Sequence, residues 1–200
     1  MDYNKYKNDG WGLSKQALIE VSKVIASTND SEYRIVEFGS GISTSFLVDL
    51  NKGLNIDLNI TSFDNDPKYS YKGGGVNLIM TELVECSDVD YDRMFVVKEF
   101  HSVFMKPKTT PLSTRQKNTF YNIKDGNLSG VYDLMILDGP NGNGRNLAFL
   151  HMINHLVPGS HVLIDDTGYY DFIDKFKSIY NATEVFKSEG EDNFSIFKII

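Results

Sequence analysis

Three short stretches of this chain, "RIVEFG", "VYDLMILDGP" and "SHVLIDD", show no alternation of apolar and polar residues and carry carboxylates at or near their carboxyl ends. Strands of that kind are buried on both faces, which calls for a mostly parallel sheet covered by helices on each side. The segments between them fit the covering layers. "LSKQALIEVSKVIAS" places Leu18, Val21 and Ile25 at helical spacing behind Ser14, a candidate N-cap. "STSFLVDLNKG" predicts a helix from Ser43 to about Lys52, stopped by Gly53. "RNLAFLHMINHLVPG" reads as a helix closed by Pro158 and Gly159, and "YYDFIDKFKSIY" as an amphipathic one. "LNITSFD" and "VNLIMTEL" are further strands, while "TEVFKS" and "FSIFKII" flank "EGEDN" as a closing hairpin. The expected fold is α/β: a doubly wound, mostly parallel, seven-stranded sheet of the Rossmann-like kind with an antiparallel C-terminal edge strand.

With 200 residues, 41% of them hydrophobic, the chain can fill a single core, and no composition shift or repeat divides it. Residues 1–200 are therefore read as one domain. It carries a long insertion at about 87–129, where Pro107, Pro111 and a burst of Lys and Arg interrupt the strand–helix alternation. The lone Cys86 leaves no internal disulfide and suits a reducing cytoplasm. The polar start "MDYNKYKNDGWG" has no apolar core of a signal peptide, and no run approaches the roughly 20 apolar residues of a membrane span. A net charge of −7 disfavours nucleic acid as a partner, since phosphate contacts need a basic surface. A cytoplasmic domain without membrane or nucleic-acid partners is expected; its oligomeric state is left open.

In a doubly wound sheet, ligands bind at the carboxyl ends of the strands. Gly39-Ser40-Gly41 follows the first strand there, and its glycines let a ligand approach the backbone at the start of the next helix. A dinucleotide fingerprint wants a third glycine at position 44, which is Thr44, and Glu37 would repel a pyrophosphate. A carboxylate at Glu37 suits a ligand bearing positive charge. Asp64, ending the second strand, lies about 20 residues beyond the glycines, the offset at which a carboxylate accepts from ribose hydroxyls. The structural alternatives are a helix-end acid at Glu37 and a turn-forming Asp at Asp64, ahead of "NDP".

"VEFGSGIST" resembles the first motif of class I S-adenosylmethionine (SAM)-dependent methyltransferases, in the variant where E-x-G-x-G precedes a Ser-Thr pair. "GWGLSKQAL", "SFDNDP", "LMILDGP" and "LIDDT" follow that family's order, so the resemblance runs from about Gly10 to Thr167. It departs at Ser43, where many members carry a third glycine. The resemblance implies SAM as cofactor. Glu37 would lie near the methionine amino group, and Phe38, Gly39, Ser40, Gly41, Ser43 and Thr44 would form the cradle. Asp64 and Asn65 would lie at the ribose, and Glu82 and Leu83 near the adenine.

Asp138 ends one inner strand, and Asp165 and Asp166 end the next. Neighbouring strands lie about 4.8 Å apart, so these carboxylates are expected on one rim, where their repulsion needs an offset. Oxygen-rich clusters suit Mg²⁺ or another divalent cation. Metal-dependent O-methyltransferases of the catechol and macrolide-sugar type place acids at these two strand ends, so the resemblance makes Asp138, Asp165 and Asp166 candidate metal ligands. A metal would acidify an acceptor hydroxyl; without one, Asp138 could serve as general base. The plainer reading makes Asp165 a strand-end acid and Asp166 a helix cap.

The D/N-P-P-Y motif of N-methyltransferases is absent after this strand, which favours an oxygen acceptor. Lys106, Lys108, Arg115, Lys117 and Lys124 gather in the insertion and would suit an anionic acceptor, with Arg115 or Arg145 as the bidentate partner; a solvated loop is the alternative. Tyr121 is a candidate for lining the acceptor pocket. His151 and His155 share a helix face without a third metal ligand and read as ordinary helix residues. Trp11 and Tyr3 either cover the cleft or anchor the N-terminus. The reading is a SAM-dependent methyltransferase, O-methylating a small-molecule or glycan acceptor with Asp138 as the catalytic residue. The alternatives are an NAD(P)-binding Rossmann oxidoreductase and a catalytically silent partner subunit of the same fold.

Overall fold

In the computed structural model, residues 1–6, 12–85, 119–168, 172–189 and 192–200 are described. Seven strands form the main sheet: β1 (Glu32–Phe38), β2 (Asp57–Asp64), β3 (Asn77–Met80), β6 (Leu134–Leu137), β7 (His161–Ile164), β8 (Ala182–Lys187) and β9 (Ser195–Ile199). Their order is β3-β2-β1-β6-β7-β9-β8. The pairs from β3 to β7 are parallel; β9 runs antiparallel to both β7 and β8, and the hairpin it makes with β8 closes that side of the sheet. Two short strands, β4 (Leu83–Glu85) and β5 (Thr119–Tyr121), pair antiparallel beside it. Among the described residues, the helices of eight residues or more are α1 (Lys15–Ala26), α2 (Ile42–Gly53) and α4 (Phe172–Ile179), with a five-residue α3 (Leu147–His151). No helix among the described residues is long and apolar enough to cross a membrane.

Strand periodicity sorts the core into two layers. Ile35, Ile60, Leu134, Ile136 and Leu163 face α1 and α2, packing with Leu18, Val21, Phe46 and Leu47. Val36, Phe38, Phe63, Met135, Leu137 and Ile164 face the other way, against Phe120, Phe149 and Phe176. Both layers are dry, as the unalternating strands require. Ser14 caps α1, its Oγ accepting from the Ala17 amide at 3.2 Å.

Three expectations are refined. The segment "VNLIMTEL" splits into β3, which pairs parallel with β2, and β4, which leaves the main sheet to pair with β5. "RNLAFLHMINHLVPG" opens as a 3₁₀ turn (Asn143–Asn146), and only α3 closes as α-helix; the chain then turns so that the His155 carbonyl accepts from the Tyr132 amide at 2.8 Å. Residues 87–118 of the expected insertion lie outside the described residues, as do Cys86, Trp11 and the basic residues Lys106, Lys108, Arg115 and Lys117. The insertion's last part is no loop: β5 inserts Phe120 and Tyr121 into the core.

Phe38 sits at the centre of that aromatic cluster, its ring centroid 5.3 Å from Phe63, 5.3 Å from Phe120 and 6.3 Å from Tyr121. Phe38→Ala is expected to cost about 3–5 kcal/mol. Urea unfolding should show it as a lower midpoint at unchanged slope.

Candidate functional site

The register fixes which side chains meet. Phe38 pairs with Phe63 and with Leu137, and Leu137 with Ile164, so Asp64, Asp138 and Asp165 emerge in a row along the carboxyl rim. Glu37 lies on the α2 side of β1, opposite Ser62 of β2. It is fully buried. Its Oε2 accepts from Thr44 Oγ1 at 2.5 Å and from Ser62 Oγ at 2.7 Å. Thr44 Oγ1 in turn accepts from the Gly41 amide at 3.0 Å, so the carboxylate holds the first turn of α2 and the glycine loop together. Glu37 Oε1 is buried and accepts no hydrogen bond within 3.5 Å, the Ser43 side chain being near the carboxylate without closing one. Burial drives the Glu37 pKa up to about 7, against the opposing pull of Ser43, Thr44 and Ser62.

Gly39 and Gly41 both have positive φ, at 98° and 145°. Their roles differ. A Cβ on Gly39 would stand 2.8 Å from the Gly139 amide nitrogen, so Gly39 lets two strand ends touch backbone to backbone. The space beside Gly41 is wider, a Cβ there being 3.5 Å from the Tyr69 carbonyl.

Asp64 is a turn-builder in this conformation. Its Oδ2 accepts from the Ser40 amide at 3.0 Å and from Ser40 Oγ at 2.7 Å, and its Oδ1 from the amides of Asn65 and Asp66 at 2.7 and 2.9 Å. Those four bonds fill a carboxylate's acceptor sites. Ser40 Oγ also accepts from the Tyr71 amide at 3.0 Å. Asn65 is exposed next to it. Glu82 is exposed at the start of the β3–β4 corner, where its Oε1 accepts from Asn122 Nδ2 at 3.1 Å, and Leu83 beside it is half-buried.

The acid rim departs from the expected metal site. Among the described residues, no group of three or more Asp, Glu, His or Cys side chains is arranged to hold a metal ion. Arg145 is buried behind the rim, with its Nη1 2.9 Å from Asp166 Oδ2. Asp166 adopts φ 60°, the left-handed region. Asp138 and Asp165 remain neighbours within hydrogen-bond reach. Burial raises the pKa of Asp138, with Arg145 opposing and Asp166 adding to it. Asp165 is pushed up by burial and by the charges of Asp138 and Asp166. The backbone at Leu13 also supplies Asp138 with a hydrogen bond, which brings the segment before α1 onto the rim.

Tyr121 is almost fully buried, and its hydroxyl lies 2.7 Å from where a Cβ on Gly139 would be. Burial holds its pKa well above the ordinary tyrosine value. The charges of Asp64, Asp138 and Glu37 add to that rise and the Arg145 guanidinium opposes it. Only a three-residue strand carries it there, and the sequence signal for that was no more than an aromatic pair in a polar stretch. Other candidates fall away from the rim. Tyr3 anchors the N-terminus, bonding Ser22 Oγ at 2.8 Å and packing on Phe46. His151 stacks on Phe120, and burial lowers its pKa to about 4. His155 Nδ1 meets the Gly130 carbonyl at 2.6 Å. Lys124 is exposed.

No protein-family model matches the chain, and no curated protein shows significant similarity to it. Solved structures do. An O-methyltransferase provisionally assigned as such from Klebsiella pneumoniae superposes with TM-score 0.50 at 12% identity, covering 98% of this chain and 86% of that one. The O-methyltransferase TomG of Streptomyces achromogenes, involved in tomaymycin synthesis and solved with SAM, gives TM-score 0.50 at 11% identity, covering 98% and 85%. The fold of this chain is that of the class I SAM-dependent methyltransferases.

The Glu37 shift has a sign that can be measured. An unfolded glutamate ionises near 4.5 and the buried one near 7, so between those values the folded state binds the extra proton. Stability is fully present below pH 4.5 and falls as pH rises to about 7, by roughly 3 kcal/mol from this group. The melting temperature of the ligand-free protein should therefore drop across that window. Glu37→Gln, neutral throughout, should make the drop shallower.

Proposed function

We propose that this protein is a SAM-dependent methyltransferase that acts on a hydroxyl of a small-molecule or glycan acceptor. One observation carries the reading: Glu37 Oε1, a buried oxygen that accepts no hydrogen bond, at the foot of the glycine loop in a class I methyltransferase fold. A buried carboxylate left half-satisfied is costly, and an ammonium group is the partner that relieves it. A dinucleotide would bring its pyrophosphate against the same carboxylate, which disfavours the oxidoreductase reading.

In this reading Glu37 receives the amino group of the methionine moiety, and the Gly39–Gly41 turn supplies the wall along the cofactor. Ribose hydroxyls take the acceptor position on Asp64 that Ser40 Oγ occupies in the structure. The bound cofactor supplies a methyl group already activated on sulfonium. The chain's own work is alignment of the acceptor hydroxyl and removal of its proton. Asp138 is the proposed base, since burial lifts its pKa toward the range where a carboxylate takes up a proton. The absence of D/N-P-P-Y after β6, where the chain reads "DGPNGNGR", supports an oxygen acceptor. The basic residues of the insertion support an anionic one, and the lone Cys86 supports a cytoplasmic setting.

Titration calorimetry with S-adenosylhomocysteine tests the cofactor assignment. Binding is expected, and Glu37→Ala is expected to weaken it by about 10–100-fold, the loss of one charge-assisted hydrogen bond of about 1.5–3 kcal/mol. Binding of NAD⁺ in its place would hand the site to the oxidoreductase reading.

A further inference from the structure

We infer that Arg145 occupies the electrostatic position of a divalent cation at this rim, so that Asp138, Asp165 and Asp166 form a metal-free acid cluster neutralised by a resident guanidinium. Three carboxylates converging from two adjacent strands need positive charge nearby, and a protein can meet that need with a bound ion or with a side chain of its own. Here the side chain is built in. Arg145 is 4% exposed, and three contacts fix its guanidinium. Its Nε donates to the Pro140 carbonyl at 2.5 Å, its Cζ lies 5.6 Å from the centre of the Phe172 ring, and its Nη1 stands 2.9 Å from Asp166 Oδ2.

The surrounding backbone is shaped to the same end. The 3₁₀ turn at Asn143–Asn146 follows the Asp138-Gly139-Pro140 corner directly and delivers Arg145 beneath the rim. Asp166 is the only non-glycine residue with positive φ among the described residues, and its carboxylate is bound to Arg145. A divalent ion at the three acids would have to displace that guanidinium, which is planar, always charged and held on three sides. The described acids are correspondingly not grouped as a metal site.

The consequence is chemical. A guanidinium lowers the energy of nearby anions but has no vacant orbital for an acceptor oxygen, so it orients and neutralises where a metal would also acidify. The acceptor's proton then has to go to a carboxylate of the cluster.

Manganese binding, read from the loss of the free Mn²⁺ signal in electron paramagnetic resonance, tests this on the full chain without cofactor. It is therefore independent of whether S-adenosylhomocysteine binds. The wild-type protein is expected to leave Mn²⁺ free into the millimolar range. Arg145→Met, folded by circular dichroism, is expected to take up one Mn²⁺ at least tenfold more tightly than wild type and to lose that gain when Asp138→Asn is added. Wild-type uptake at micromolar Mn²⁺, or a folded Arg145→Met that gains nothing, would overturn the inference. The wild type alone gives a second reading: millimolar Mg²⁺ should leave its melting temperature unmoved, and a clear rise overturns the inference even if Arg145→Met does not fold.

Discussion

The buried carboxylate of Glu37 is the interaction on which the site is built. Placing an acid at the dry centre of a sheet is expensive, and this chain offsets the cost with hydroxyl donors from two different elements, Thr44 of α2 and Ser62 of β2. Each donor pins its own element to β1. Because Thr44 also accepts from the Gly41 amide, the path of the glycine turn follows from the same carboxylate. Replacing this network with apolar side chains would leave the turn without its template.

Charge at the rim is arranged in two separate accounts. Around β1 and β2 the acids are satisfied by neutral donors: hydroxyls for Glu37, amides and Ser40 for Asp64. Around β6 and β7 they face Arg145. An acid held by neutral dipoles keeps its negative potential for an incoming cation, whereas one held by a guanidinium has most of that potential cancelled.

The sheet was legible in the sequence because its evidence is local. Unalternating runs such as Leu134–Leu137 and Val162–Ile164, short and set between helical stretches, fit strands buried on both faces, and the helices between them favour parallel pairing. Glu37 was legible as a position for a related reason: it is an acid set between Val36 and Phe38 at the end of an apolar run, with Gly39 and Gly41 just after it. Arg145 and Tyr121 were much less so. Their placement depends on contacts made far along the chain, the 3₁₀ turn against β5 and the pairing of β5 with β4, and nothing in the neighbouring residues encodes those. Asp64 shows an intermediate case. Its position at a strand end could be read off, but its saturation by Ser40 and two amides depends on how two loops fold against each other.

The contact between Gly39 and Gly139 carries a mechanical meaning. With a hypothetical Cβ on either glycine only 2.8 to 2.9 Å from the other's backbone, the loops after β1 and β6 meet without any side chain between them. Side chains can change rotamer to absorb a shift; two abutting backbones cannot. A displacement of the turn after β1 therefore presses on the segment leading to Pro140 and Arg145 directly, with no side chain between them to absorb it.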